Sequence, residues 1–181
     1  MRNSTYAALF EGLAARHVRI RHRKDSARFA RIIVSVDPLQ RQVDLMEMQE
    51  VLLGRFLKPG AGEQVLVLES LQVQFTDNAG DNYQRRGRGA FFVLEKKTKD
   101  VEAWEVLDRT EQTGEELLAG ARRDYEEGRD VKTRWPIGAI LADAVGPLGD
   151  GTWYGTRFDF EIISPANAAL VYKPAAFTPV P

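Results

Sequence analysis

The stretch Ala90–Glu127, AFFVLEKKTKDVEAWEVLDRTEQTGEELLAGARRDYEE, decides the reading of this chain. Ala90–Leu94 is apolar at every position, as a strand buried on both faces must be. From Asp100 to Glu127 the pattern changes to a helical one. Trp104, Leu107, Gly114, Leu118, Ala121 and Tyr125 recur at steps of three, four and seven, which predicts one apolar stripe on a long helix, with Gly128 as its C-terminal cap. Ten acids against three bases (Arg109, Arg122 and Arg123) cover the rest of that segment, a net of -7. A central strand followed by a long acidic amphipathic helix points to an α+β domain.

Working outward, the flanks agree with that class. Tyr6, Leu9, Phe10 and Leu13 predict a first helix over residues 4–16. Val18 and Ile20 alternate with Arg19 and Arg21, which reads as a short strand or an extended entry. Phe29–Val36 is rich in β-branched residues and reads as a buried strand. Asp37, Pro38 and Gln40 are a helix start, with an acceptor at the cap and proline in the first turn. Leu39, Val43, Met46, Leu53 and Leu57 then predict a helix, preferred to a strand at 43–48, that Lys58-Pro59-Gly60 stops. Val65–Thr76 reads as one strand, with Leu71, Val73 and Phe75 on one face, and residues 77–89 as a polar loop. Ile137–Val145, the turn at 146–151 and the alternating strand Trp153–Ile163 predict a closing hairpin whose last strand is half buried and antiparallel. The expected fold is α+β: a mainly antiparallel sheet packed by the long acidic helix and one or two shorter helices. Residues 1–163 form the domain, and residues 164–181 an extended, proline-rich arm. The arm has four of the eight prolines and no acid, and would reach ~50 Å if it were polyproline throughout.

Composition narrows function by exclusion. With 181 residues and 44% hydrophobic, the chain can bury a core without staples. It has no cysteine, so disulfides, thiolate metal sites and thiol nucleophiles are excluded. No apolar run is long enough for a membrane helix, and Met1-Arg2-Asn3-Ser4-Thr5 offers no apolar leader. His17 and His22 have only Asp25 as a further metal ligand close in sequence, and read as surface histidines. Asp77, Asn78, Asp81 and Asn82 lack the spacing of a calcium loop and read as a polar turn. Gly87-Arg88-Gly89 lacks the Lys-Ser/Thr of a phosphate loop. The acids of residues 100–127 read as a solvated face or a surface for a basic partner, since catalytic carboxylates sit in clefts. No catalytic, cofactor or metal residue is expected, and no enzyme.

What remains is charge and apolar surface. The net charge of -1 hides two poles. Opposed to the acidic helix, residues 16–31 hold seven Lys or Arg and one acid, a net of +6. Arg19, Arg21, Arg23, Lys24 and Arg28, with Arg85, Arg86 and Arg88, are therefore the candidate contacts to another subunit or to nucleic acid. A heterologous subunit contact, which closes a ring, suits opposed poles and is preferred to nucleic acid. Leu170, Val171, Tyr172 and Phe177 make the arm apolar, so it is expected to pack on its own domain or on a neighbour.

A short first helix, the strand AFFVLEKK before a long acidic helix, and a closing hairpin ending WYGTRFDFEIISPAN together resemble, over residues 1–165, the small neck and tail-completion proteins of tailed phages. Tail terminators are the nearest of these. The resemblance implies an α+β subunit of a homo-oligomeric ring, often a hexamer. Such a ring caps the tail tube and joins it to the head, in the virion or a phage-like particle and in the cytoplasm during assembly. It implies no catalytic residue, and it does not extend to residues 166–181.

Overall fold

The all-apolar run at Ala90–Leu94 is the middle of the central strand in the computed structural model, which describes residues 1–35, 37–77, 82–127 and 133–176. The chain runs through α1 (Asn3–Arg16), β1 (Phe29–Ile32), α2 (Pro38–Glu47), β2 (Gln64–Glu69), β3 (Gln72–Thr76), β4 (Gln84–Lys96), α3 (Ala103–Glu127), β5 (Leu141–Leu148) and β6 (Trp153–Pro165). One sheet is ordered β1-β2-β4-β6-β5, and β3 extends it beside β4 beyond the end of β2. Only β1 and β2 pair in parallel. The spine is the β4–β6 ladder, in register from Gln84↔Pro165 to Lys96↔Trp153. The expected α+β class, with a mainly antiparallel sheet, is the observed one.

Alternation along β4 and β6 gives the sheet two faces. Phe91, Val93, Phe158, Phe160 and Ile162 point toward α1 and α3, where Tyr6, Phe10, Leu13, Leu117, Leu118 and Ala121 meet them. Phe91 stacks on Phe158 at 5.2 Å, and Trp135 stacks on Phe160 at 5.3 Å. Helix α3 lies so close that a β-carbon at Gly114 would sit 1.9 Å from Phe158 Cε2. On the opposite face Met48, Leu53 and Leu57, from the helix that continues α2, pack on Val65, Val67, Phe92, Leu94 and Trp153.

Several elements differ from their sequence readings. The stripe of α3 is Val106, Thr110, Thr113, Leu117, Leu118 and Ala121, all buried, whereas Trp104 is 75% exposed. The two threonines hide the stripe because their hydroxyls are satisfied locally: Thr110 Oγ1 donates to Leu107 O at 2.9 Å and lies 3.1 Å from Thr156 Oγ1. Residues 18–20 are not a strand. Ile20 N and Arg21 N both donate to His17 O, and Arg21 adopts φ 51°, so the chain reverses after α1. The apparent alternation is a turn with Ile20 inside and Val18 outside.

Strand β1 ends at Ile32, and Ile33 is 86% exposed, because β1 lies at the sheet edge. The single strand read over Val65–Thr76 is two, β2 and β3. Their registers against β4 differ by one residue, the signature of a break at Ser70–Leu71. Residues 84–89, read as loop, already belong to β4.

Asp37 caps α2 as expected, its side chain accepting from Leu39 N and Gln40 N at 3.0 Å. The helix then widens to π geometry over Met48–Phe56, which rotates the apolar face. As a result Leu53 and Leu57 are buried while Leu39, Val43 and Met46 face outward. The hairpin forms, and its apolar first strand, β5, is a largely exposed edge strand. The arm is not continuous polyproline: Asn167–Ala169 and Pro174–Ala176 are short 3-10 turns. Gly128 lies outside the described residues.

Candidate interaction surface

The basic segment lies against the acidic helix of the same chain. The turn after α1 aims its donors at α3 because both helices cover one sheet face. Arg16 reaches Asp124, whose carboxyl is held below its ordinary value chiefly by that hydrogen bond. His17 Nε2 lies 2.9 Å from Glu116 Oε2. Arg19 Nη1 donates to Arg109 O (3.0 Å) and Thr113 Oγ1 (3.1 Å), and its Nη2 to Gln112 Oε1 (2.9 Å). Arg28 pairs with Glu63 at 2.7 Å and donates to Ile20 O at 2.9 Å. Arg16, His17, Arg19 and Arg28 therefore staple the domain together. Arg21, Arg23 and Lys24 are exposed.

The second basic group is divided by the pleat. Arg86 and Arg88 share the face opposite α1 and α3, and Arg85 lies on the helix-covered face. Arg86 pairs with Glu161 at 3.7 Å, and Arg88 is exposed. Burial, then the like charge of Arg2, holds the Arg85 guanidinium below its usual pKa. Gly87 and Gly89 are strand residues. Gly89 leaves room for Phe160 Cζ and Tyr6 Oη, which a β-carbon would meet at 2.6 and 2.7 Å. At Gly87 a β-carbon would meet Leu71 Cδ1 at 3.2 Å, so both glycines of the Gly-Arg-Gly pattern face packed side chains.

Two buried charge clusters escaped the sequence reading. Glu69, only 3% exposed, ends β2. It accepts from Arg41 Nη2 at 3.1 Å and from Arg157 Nε at 3.1 Å. Arg157 also bonds Asp159 and lies over the Phe92 ring at 5.6 Å. Burial raises the Asp159 carboxyl above its ordinary value, against the pull of Arg157 and with the help of Glu69. On the other face Glu95, buried, accepts from Arg109 at 2.5 Å and from Gln64 Nε2 at 3.0 Å. The available signal was a lone acid closing each apolar strand, in VLVLE and FFVLE. Both clusters pair carboxylate with guanidinium and serve as links between sheet and helices.

His22 Nδ1 accepts from Arg28 N at 3.1 Å, so both histidines organise the reversal after α1. Among the described residues no group of three acids or histidines could hold a metal ion, and no helix is long and apolar enough to cross a membrane. Asn78 and Asp81 of the polar turn lie outside the described residues.

Apolar surface remains outward. Leu39 (78% exposed), Val43 and Met46 make a stripe on α2. Leu170, Val171 and Tyr172 of the arm are also exposed, the last at 68%, and Phe177 lies outside the described residues. Against known proteins, no family profile matches the chain, and no curated protein sequence is significantly similar to it.

Proposed function

We propose that this chain is a structural assembly protein, a ring-forming homo-oligomer at the neck or tail terminus of a phage or phage-like particle. Its partners in that reading are copies of itself, the tail tube and neck proteins, and it catalyses nothing. The observation that carries the assembly reading is the exposed apolar surface on α2, at Ile33 and on the arm. Such surface on a charged domain marks contact sites. The order of elements, which resembles tail-completion proteins, supports the particular assembly. The contact differs from a meeting of charge poles between subunits, because Arg16, His17, Arg19 and Arg28 already find partners within the chain.

Light scattering of the purified chain tests this. A defined oligomer that persists at high salt is expected, since apolar contacts are not screened as ion pairs are. A strict monomer at all concentrations that also ignores tail-tube protein overturns it. A second reading, a nucleic-acid-binding module, rests on Arg21, Arg23 and Lys24, exposed together on one loop. It requires a mobility shift at low salt that fades steeply as salt rises.

A further inference from the structure

Among the described residues the sheet has three open strand edges, and they are not alike. Strand β1 is four residues long and carries Arg31. Strand β5 carries Asp143 and Pro147, and its ladder is irregular between Val145 and Leu148. Short length, charge, proline and irregular register are the ordinary protections of an edge. Strand β3, Gln72–Thr76, is five residues long but carries no charge, no proline and no register shift along its ladder with β4. Among the described residues it pairs with β4 alone, so its outer N–H and C=O groups form a template. Val73 and Phe75 stand exposed on one side of it.

The arm supplies a matching segment. Leu170, Val171 and Tyr172 are exposed, and Val171 and Tyr172 are strand-favouring. As a strand they would put Leu170 and Tyr172 on one side, beside Val73 and Phe75. The arm is rooted at the same end of the sheet, since Ala166 N donates to Tyr83 O at 2.8 Å and Thr76, Gln84 and Pro165 lie in register.

Its own arm is badly placed for this edge. From β6 across β4 and β3 to an added strand is three spacings, about 14 Å. The four residues from Ala166 to Leu170 span about 14 Å only when fully extended, leaving no length to turn. In this chain they close into the 3-10 turn at Asn167–Ala169 instead.

We infer that the outer edge of β3 receives residues 170–172 of a second copy as an added strand. This rests on the homo-oligomer reading and names its contact. Main-chain bonds supply the attachment, and the Val73 and Phe75 side chains the register.

The chain has no cysteine, so single-cysteine variants give an unambiguous test. Gln74→Cys and Val171→Cys, in separate full-length chains, are mixed and oxidised. A disulfide joining the two variants is expected as the main cross-linked species, well above either homodisulfide. Val171→Pro, which removes one ladder donor at an exposed position, is expected to raise the dissociation constant at least tenfold while leaving the circular dichroism unchanged. An oligomer that forms without the mixed cross-link and ignores Val171→Pro overturns this contact but leaves the assembly reading standing. A full-length chain that is monomeric at every concentration overturns both.

Discussion

Replacing Arg19 by alanine separates the two roles open to the basic segment. The guanidinium bonds a helix carbonyl, the hydroxyl of fully buried Thr113, and a surface amide. Hydrogen bonds to a charged donor are worth about 1.5–3 kcal/mol each. The Gln112 bond is exposed and contributes little, and the two bonds from Nη1 share one group and do not add. Truncation also leaves the Thr113 hydroxyl without that donor. A loss of about 2–3 kcal/mol follows. For a domain of this length 1 kcal/mol shifts the melting temperature by roughly 2–4 °C, so a fall on the order of 4–12 °C is expected in thermal circular dichroism. Arg19→Lys should recover only part of it, because an ammonium cannot reproduce the fork. Arg23→Ala and Lys24→Ala, at exposed sites, should change stability by less than about 0.5 kcal/mol. An Arg19→Ala variant that melts with the parent, yet fails to oligomerise or to bind nucleic acid, refutes the intrachain role.

Three further outcomes are expected. Gly114→Ala gains about 1 kcal/mol of helix propensity but drives a methyl into Phe158 at 1.9 Å; overpacking of about 1–3 kcal/mol or more should win, and urea denaturation should give a lower midpoint, with Phe158→Leu partly rescuing it. Asp159→Asn removes a carboxyl whose pKa is raised in the folded state. The folded chain binds more protons there than the unfolded chain, so wild-type stability rises as pH falls through the folded pKa toward the ordinary 3.8. The variant should melt above wild type near pH 8, with the gap closing by pH 3.8; a gap that widens on acidification sinks the argument. Trp104→Ser should leave the melting temperature within about 2 °C, since Trp104 is outside the core.

Apolar periodicity made the central elements legible. Ala90–Leu94, the apolar stripe of α1 and the cap at Asp37 each carry their own local chemistry, and each lies where that chemistry puts it. Failures came where polar residues do core work or apolar residues do not. Thr110 and Thr113 fill the α3 interface with hydroxyls that find partners, Thr110 donating to Leu107 O and Thr113 accepting from Arg19, so a reading by hydrophobicity passed over them and chose Trp104. The π segment after α2 shifts the phase of its helix, and no sum over side chains at a constant step registers such a shift. Glu69 and Glu95 look like strand ends in sequence. Their partners Arg41, Arg157 and Arg109 are set by topology, 28, 88 and 14 residues away.

The same distinction bears on function. Two opposed charge poles in one sequence are equally consistent with a contact between chains and a contact within one. Only the packing of α1 and α3 on one sheet face separates those cases, and it brings Arg16, His17 and Arg19 onto α3. With Arg16, Arg19 and Arg28 engaged, a partner meets four of the seven bases of the +6 segment, Arg21, Arg23, Lys24 and Arg31; the apolar stripe of α2, the β3 edge and the arm also stay outward. An interface built on those surfaces holds by burial and main-chain pairing. It should therefore strengthen on warming from the cold and respond weakly to salt, the opposite of what charge poles on separate subunits would give.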